Sequence, residues 1–406
     1  MTGIATDVAI PGYSGPPNPR MLMIGEAWGA DEDKMKMPLV GGSGKMHWGM
    51  LGEAIPDVRP DLHAKAQSEI SWDYGMLAWV RQRDPWLSAA GIGFTNVLNF
   101  RPPNNDLGAI SGSKAEVGSN YPYPPIATSP KHIYLRPEHL EQLDRLGHDL
   151  ARLKPNLCCL MGNTACWALL GMTNVTALRG TTTWSDRYGV KCLPTFHPAS
   201  LLYEGQWSRR PIIIADYVKA YRESEYPELR RPHRQILINP TLPEVERWVF
   251  DTLENPPQSL TIDVETSGGM IDTCGFARSM SDALVIPFGP HRYKKGNGYV
   301  IIYPERDGKR VTSYWSTQEE IYVWSLVWKL LASPIPKSFQ NGMYDIQYLM
   351  KILGIPNNMT DDTMLAWHSL YPEMPKGLGF LGSVLTNDIA WKRLRSSKAD
   401  TTKKDE

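Results

Sequence analysis

The 406-residue chain has no excess charge of either sign: 43 Lys and Arg stand against 43 Asp and Glu. That excludes a protein that coats nucleic acid by overall charge and leaves only local basic patches for such contact. It has no run of 18 apolar residues, so no segment reads as a membrane-spanning helix. The opening stretch MTGIATDVAIPGYSG has neither the charged start nor the apolar core of a signal peptide. Cysteines are few, at 158, 159, 166, 192 and 274, and none falls in a C-x-x-C pair. Neither a disulfide scaffold nor a zinc site is expected from them, and the reading is an intracellular, cytoplasmic protein. What is present is 42% apolar residues, enough for packed cores, in a chain too long for one ordinary domain.

The most informative stretch is Leu260-Thr261-Ile262-Asp263-Val264-Glu265-Thr266. It reads as a short strand, and alternation puts Asp263 and Glu265 on one face with Ile262 and Val264 on the other. Two carboxylates side by side repel and are costly to bury unless a cation joins them, and oxygen ligands of this kind suit Mg²⁺ or Mn²⁺. A pair of surface acids on an edge strand is the plainer alternative.

In the first half, Met21-Leu22-Met23-Ile24 is an apolar strand that runs into Gly25-Glu26-Ala27-Trp28-Gly29, and Pro38–Gly44 is a second glycine-rich loop before a helix over 45–54. A strand ending in a glycine turn is where ligand sites gather in parallel α/β sheets, although each loop alone is equally a tight turn. Further strands are expected at 93–100, 157–161 and 191–196, with helices over 136–153 and 164–170 between them. Leu140, Leu143, Leu146, Leu150 and Leu153 give the first of these helices an apolar stripe. Residues 105–134, rich in Gly, Ser and Pro, read as a long loop, and residues 1–20 as an irregular lead-in. Strands alternating with helices predict a parallel sheet.

The ordered set GEAWGADED, MPLVGGSG, TNVLNFRPPNN, LRG and PTFHPASLL resembles the uracil-DNA glycosylase superfamily, nearest to family 4 and its bacteriophage relatives, over residues 20–225. The resemblance implies a parallel sheet between helices, with a pocket at the strand ends for a base flipped out of DNA. It places Glu26 and Ala27 in the loop that lines the pocket and positions water, with Glu32 on an acidic pocket position. Asn96 falls on the residue that reads the uracil edge, and His197 on the donor that stabilises the departing base. Leu201 or Leu202 falls on the wedge that fills the vacated stack. Two departures stand out: Leu39 occupies the position of an aromatic that stacks on the base, and Phe100 the position of a cluster cysteine. No iron–sulfur cluster is expected.

After the basic run Arg230-Arg231-Pro232-His233-Arg234, read either as a solvated linker or as a phosphate-contacting strip, the pattern resets. A strand at 236–238, a helix over 241–253, a hairpin at 273–277 and 283–287, a polar turn region over 289–300, and helices at 318–331, 341–353, from 361 and from 378 are expected. Asp-x-Glu on a strand, Asn341-x-x-x-Asp345 on a helix and the following Asp361-Asp362-Thr363-Met364-Leu365 resemble the DEDD 3′–5′ proofreading exonuclease domain of A-family DNA polymerases. The resemblance implies that Asp263, Glu265 and Asp345 hold Mg²⁺ or Mn²⁺, with Asp362 a helix cap before it is a ligand. The family's fourth carboxylate motif is not found, so the exonuclease is expected to be incomplete.

The expected architecture is therefore two α/β domains: a parallel-sheet glycosylase-like α/β/α domain over 1–225 and, after a linker at 226–234, a ribonuclease H-like mixed-sheet exonuclease domain over 235–395. A disordered polar tail over 396–406 follows. The expected function is DNA processing in phage-type replication or repair: uracil excision joined to an incomplete proofreading nuclease, as the front part of a split or truncated polymerase. DNA and a separate polymerase chain are the expected partners, and the host cytoplasm the expected location. The alternative is a non-catalytic module that senses uracil or binds DNA for that polymerase.

Overall fold

The computed structural model describes residues 10–62, 85–127, 131–289 and 313–388, together with the backbone of short strands within 291–310. The polar tail over 396–406 lies outside the described residues, as do residues 1–9 of the lead-in. By contact the chain divides into two units, 1–231 with Gly379–Arg395 and Pro232–Leu378 with Ser396–Glu406.

The first unit is built on strands β1 (Met21–Ala27), β2 (Ile92–Leu98), β3 (Leu157–Met161), β4 (Thr183–Ser185) and β5 (Val190–Thr195). Their order across the sheet is β2-β1-β3-β5-β4, parallel throughout except for the edge strand β4. Alternation along β1 feeds two cores. Met21 and Met23 pack with helices α2 (Gly42–Ala54) and α5 (Arg210–Glu223), while Leu22 and Ile24 pack with α3 (Glu141–Leu153) and α4 (Asn163–Leu170). Both faces are covered, which is why these strands read as unbroken apolar runs. A short helix, α1 (Ala30–Met35), follows β1. The stretch expected to be one long loop over 105–134 contains two short 3₁₀ turns and a single-turn helix, Lys114–Val117, capped by Ser113 and Glu116.

The second unit carries strands β6 (Gln235–Ile238), β7 (Leu260–Ser267), β8 (Met270–Ala277), β9 (Asp282–Pro287), β12 (Lys337–Phe339) and β13 (Met359–Asp362) in the order β13-β12-β7-β8-β9-β6. β7, β8 and β9 are antiparallel, and β12 and β13 continue the sheet in parallel from the other side of β7. Counted from β7 this is the order 3-2-1-4-5 of a ribonuclease H-like mixed sheet. Helices α6 (Leu242–Glu254), α7 (Thr317–Ala332), α8 (Gly342–Ile352) and α9 (Thr363–Leu370) surround a core of Val245, Trp248, Ile262, Val264, Val323 and Val327. The region 289–300, expected as a turn, forms an antiparallel hairpin of β10 (His291–Lys295) and β11 (Gly298–Ile302). Both architectures are mixed α/β, as expected.

The boundary differs from expectation at helix α10 (Leu378–Leu385), whose residues from Gly379 on group with the first unit rather than the second. The cause is a set of buried cations. Arg179 pairs with Asp216, both essentially inaccessible, and donates to Ser383 Oγ at 2.8 Å. Lys219 Nζ donates to the carbonyls of Gly180, Ser383 and Thr386, so an ammonium caps the carboxyl end of α10 where the helix dipole favours it. Arg231 bonds the carbonyls of Thr182 and Asn387, so this member of the basic run serves packing rather than a free phosphate strip.

Candidate functional sites

The parallel strands of the first unit end at one rim, and a cavity of about 410 Å³ opens there, lined by residues including Glu26, Trp28, Leu39, Asn96, Ser200 and His197. In the sheet, Gly25 lies directly opposite Asn96. A Cβ on Gly25 would sit 2.3 Å from Asn96 Oδ1 and 3.6 Å from His197 Nε2, so glycine is the residue that lets both groups converge. Asn96 is buried, and among the described residues its amide makes no hydrogen bond within the protein.

His197 caps the 3₁₀ turn Pro198–Leu202 and accepts the Ala199 N–H at Nδ1, 3.1 Å away. An acceptor at Nδ1 leaves the proton of the neutral ring on Nε2, the nitrogen on the Gly25 side. Burial pushes the imidazole down to about 4, which keeps it neutral at physiological pH. Gly162, at φ +88°, makes room behind it: a Cβ there would lie 3.2 Å from that of His197.

Glu26 accepts from Thr164 Oγ1 at 2.5 Å, and burial raises its carboxyl above the usual range despite that bond. Ala27 lines the same wall. Glu32 is differently employed. It accepts the N–H groups of Gly29, Val40 and Gly41 at 3.1, 3.0 and 2.8 Å, which ties the 38–41 loop to the start of α1. Leu39 forms pocket wall in the left-handed region at φ +54°, with its carbonyl against Gly44.

The two leucines proposed as a wedge separate cleanly. Leu201 is 6% exposed and packs into the core beside Ile213 and Tyr217, so it cannot be the wedge; Leu202 is 64% exposed. Pocket residues to which no role was assigned are Trp28, Asn105 and Ser200, which lie within the quoted motifs, and Asn163 and Tyr203, which lie outside them. Among the described residues the buried Trp28 Nε1 and Ser200 Oγ atoms have no hydrogen-bond partner. Cys158, Cys159, Cys166 and Cys192 are fully buried in strands and helix, and burial holds the Cys159 and Cys192 thiols well above their usual range.

In the second unit β7 alternates as expected, with Asp263 and Glu265 on the exposed face and Ile262 and Val264 buried. Asp345, on the first turn of α8, is buried and accepts the Val264 N–H at 2.8 Å. Burial, with the neighbouring Asp263 adding to it, pushes Asp345 up to about 6 against that hydrogen bond. Asn341 stands one residue before α8 as its cap, in the left-handed region, rather than within the helix. Asp362 accepts four backbone N–H groups, from Asn341, Gly342, Met364 and Leu365, and so closes the amino ends of both α8 and α9. Burial works to raise its carboxyl, but these donors outweigh it and hold it below the usual range. Among the described residues no three acidic, imidazole or thiol groups converge on a point that could hold a metal ion.

Comparison with known proteins agrees with the first site. No curated protein matches the chain. Among solved structures, Escherichia coli RNase D, described as an exoribonuclease involved in structured RNA processing, is similar at 13% identity and a TM-score of 0.23, over 37% of this chain and 32% of that one. Brucella melitensis NrnC with bound Mg²⁺ is similar at 19% identity and 0.23, over 41% and 64%. The EXD2 exonuclease domain soaked in Mg and dGMP is similar at 16% and 0.22, over 42% and 78%. The chain thus spans about a third of the RNase D chain and just under two thirds of the NrnC chain, and likeness this distant says nothing of activity. The model of the uracil DNA glycosylase superfamily, by contrast, matches residues 11–221, more than half of the chain and the whole of the pocket just described. The chain belongs to the uracil DNA glycosylase superfamily.

Proposed function

We propose that the first unit excises uracil, or a closely related pyrimidine, from DNA by hydrolysis of the N-glycosidic bond. The observation that carries this reading is the convergence of the His197 Nε2–H donor and the uncommitted Asn96 amide over Gly25 at the open end of the parallel sheet. In the reaction the bond from C1′ to the base nitrogen breaks, its electron pair leaves with the base, and a water oxygen bonds to C1′. Charge then accumulates on the base carbonyl oxygen, where a neutral donor already in place lowers the barrier without reorganisation. Asn96 offers one donor and one acceptor, the complement of the uracil edge. On this reading Glu26, which accepts from Thr164, orients the water and receives its proton, and the exposed Leu202 fills the emptied stack. Glu32 acts at one remove, as the residue that positions the pocket loop. The test is release of free base from uracil-containing single- and double-stranded oligonucleotides, with and without chelator. Abasic sites formed at equal rates in both conditions support the reading; no abasic sites in either would overturn it.

The second reading, a module that binds uracil without cleaving, draws on Leu39, which closes the pocket but cannot stack as an aromatic would, a contact of about 1–3 kcal/mol per base. It predicts tight binding of a uracil-containing strand that stays intact. For the second unit we propose a proofreading-type nuclease fold, related to that of A-family polymerases, whose metal-dependent activity is weak or silent in this chain alone. Supporting this are Asp362, whose two oxygens accept four backbone N–H groups, and Asp345, whose Oδ1 accepts one. DNA is the proposed ligand of both units, and a DNA polymerase chain the proposed partner.

A further inference from the structure

The 3₁₀ turn over 198–202 also contributes Leu201 to a second cavity. This cavity measures about 410 Å³ and is lined by Met46, Met50, Leu201 and Trp207, with Lys45 and Arg210 beside them. The two cavities share helix α2 as well as the turn: Ser43 faces the base pocket, while Lys45 and Met46 face the second cavity less than one helical turn further on. Between and around them stand three large side chains that a folded surface would ordinarily cover. Leu202, Tyr203 and Trp207 are 64, 71 and 60% exposed.

The region carries three cations and two acids, Glu53 and the exposed Glu204. Arg209 lies over the Phe196 ring at 4.6 Å, Arg210 is paired with Glu53, and Lys45 is exposed and makes no ion pair among the described residues. An apolar slot with an exposed indole and an unpaired ammonium at its rim suits a base with its phosphate better than it suits an apolar peptide.

We propose that this second cavity receives an unstacked nucleobase next to the target nucleotide on the same DNA strand, with Trp207 as its stacking platform and Lys45 on its phosphate. The proposal rests on the base-excision reading of the adjacent pocket and extends it: the chain grips a single-stranded stretch through two bases, one in each of the two cavities that the 198–202 turn lines. Recognition of the second base is by stacking, so it is indifferent to base identity. The site favours single-stranded over duplex DNA, because a flanking base held in a duplex cannot enter it.

The experiment measures binding of the full chain to end-labelled single-stranded oligonucleotides by fluorescence anisotropy across a salt series. One set carries an abasic analogue at each position flanking the uracil in turn. Trp207→Ala is expected to weaken binding roughly 5- to 150-fold, Trp207→Phe to keep most of the affinity, and Lys45→Gln to reduce the salt slope by about one. An abasic residue at one flanking position should cost the wild type as much as Trp207→Ala does, and should cost the variant nothing further. Trp207 and Lys45 are exposed, so the variants test binding rather than folding. Affinity unchanged in Trp207→Ala, or a loss that persists in full whichever flanking base is absent, would overturn the proposal. So would self-association that Trp207→Ala abolishes while DNA binding survives, since the cavity would then belong to a second copy of the chain. Base release is scored separately: a flanking-base effect without release sinks the glycosylase reading and leaves this site standing, whereas release without a flanking-base effect does the reverse.

Discussion

In the first unit the polar groups at the sheet's open end are held but not used up. His197 spends Nδ1 on a backbone N–H and leaves Nε2–H free, and Asn96 keeps its whole amide. In the second unit the corresponding groups serve the fold itself. Asp345 accepts a strand N–H, and Asp362 accepts four N–H groups at the ends of two helices. The same chemistry therefore does opposite work. Asp362, with four N–H groups on its two oxygens, cannot also take a metal without leaving those donors unpaired, at about 1–3 kcal/mol each, whereas Asp345 spends only Oδ1. Motif residues reveal the type of site a chain could have; which lone pairs remain open decides whether it has one.

The largest effect that would sharpen this contrast is at His197. Replacement by Ala should cost base release roughly 10²–10³ in rate, in keeping with the loss of one preorganised donor at developing charge. Because the ring is already neutral, its titration lies near 4, and activity should hold from pH 7 down to pH 6 as far as His197 is concerned. The acid limb belongs to Glu26, whose raised carboxyl is protonated above its ordinary range as pH falls. A pH–rate profile flattened by Glu26→Gln, at whatever residual rate remains, checks that assignment. Full activity in His197→Ala would break the comparison from the first side.

Next in size is Asp362→Ala. If this side chain is a double cap, its removal should destabilise the second unit by about 1–2 kcal/mol for each of two helix ends, read by denaturant unfolding. A merely exposed carboxylate would give almost no change. Asp345→Asn should do the reverse and stabilise by about 1 kcal/mol at pH 8. The folded carboxyl titrates near 6, above its unfolded value near 3.9, so the folded state binds the extra proton between those values. Its stabilising contribution is full below about pH 4 and lost as pH rises through 6. The gain from Asn, which needs no proton, should therefore vanish at pH 4. A gain that persists unchanged at pH 4 would count against the burial argument.

The smallest expected effect is none at all. Mg²⁺ or Mn²⁺ at millimolar levels should leave the melting temperature unmoved and produce no 3′ shortening of single-stranded DNA. A rise in melting temperature that Asp263→Ala abolishes would show that the acids rearrange into a working metal site, and the contrast between the units would fail. That outcome would be informative in itself, since binding to the folded state alone must raise stability.

How much of this was legible beforehand varies by element. Strand β7 was readable to the residue because alternation along a half-buried strand is strictly local, and Asp263 and Glu265 share the exposed face as expected. The parallel strands of the first unit were readable as apolar runs, and Asn96 and His197 were named from the order of the motifs, whereas the role of Gly25 between them was not. The β10–β11 hairpin was missed because HRYKK is polar and was read with the Gly296–Gly298 segment as a turn, which cut short the aromatic and β-branched run Tyr299–Ile302. Trp28, Asn105, Asn163, Ser200 and Tyr203 were missed as pocket residues because they arrive from separate segments, after β1, after β2, at the start of α4 and on the 198–202 turn.

What the amino-acid order determines here is whatever depends on neighbours a few residues apart: the strands and helices, the glycine turns, the Asp362 cap, and membership of a superfamily carried by five short motifs. What only the tertiary structure decides is how each side chain is spent. Leu201 and Leu202 are adjacent and chemically identical, yet one is core and the other faces solvent. Ser383 of helix α10 lies 204 residues from Arg179 and 164 from Lys219 in sequence, yet these buried cations bind the helix to the first unit. The physical reason is common to both. Burial and hydrogen-bond satisfaction are long-range quantities, fixed by which surfaces meet, and no local pattern records them.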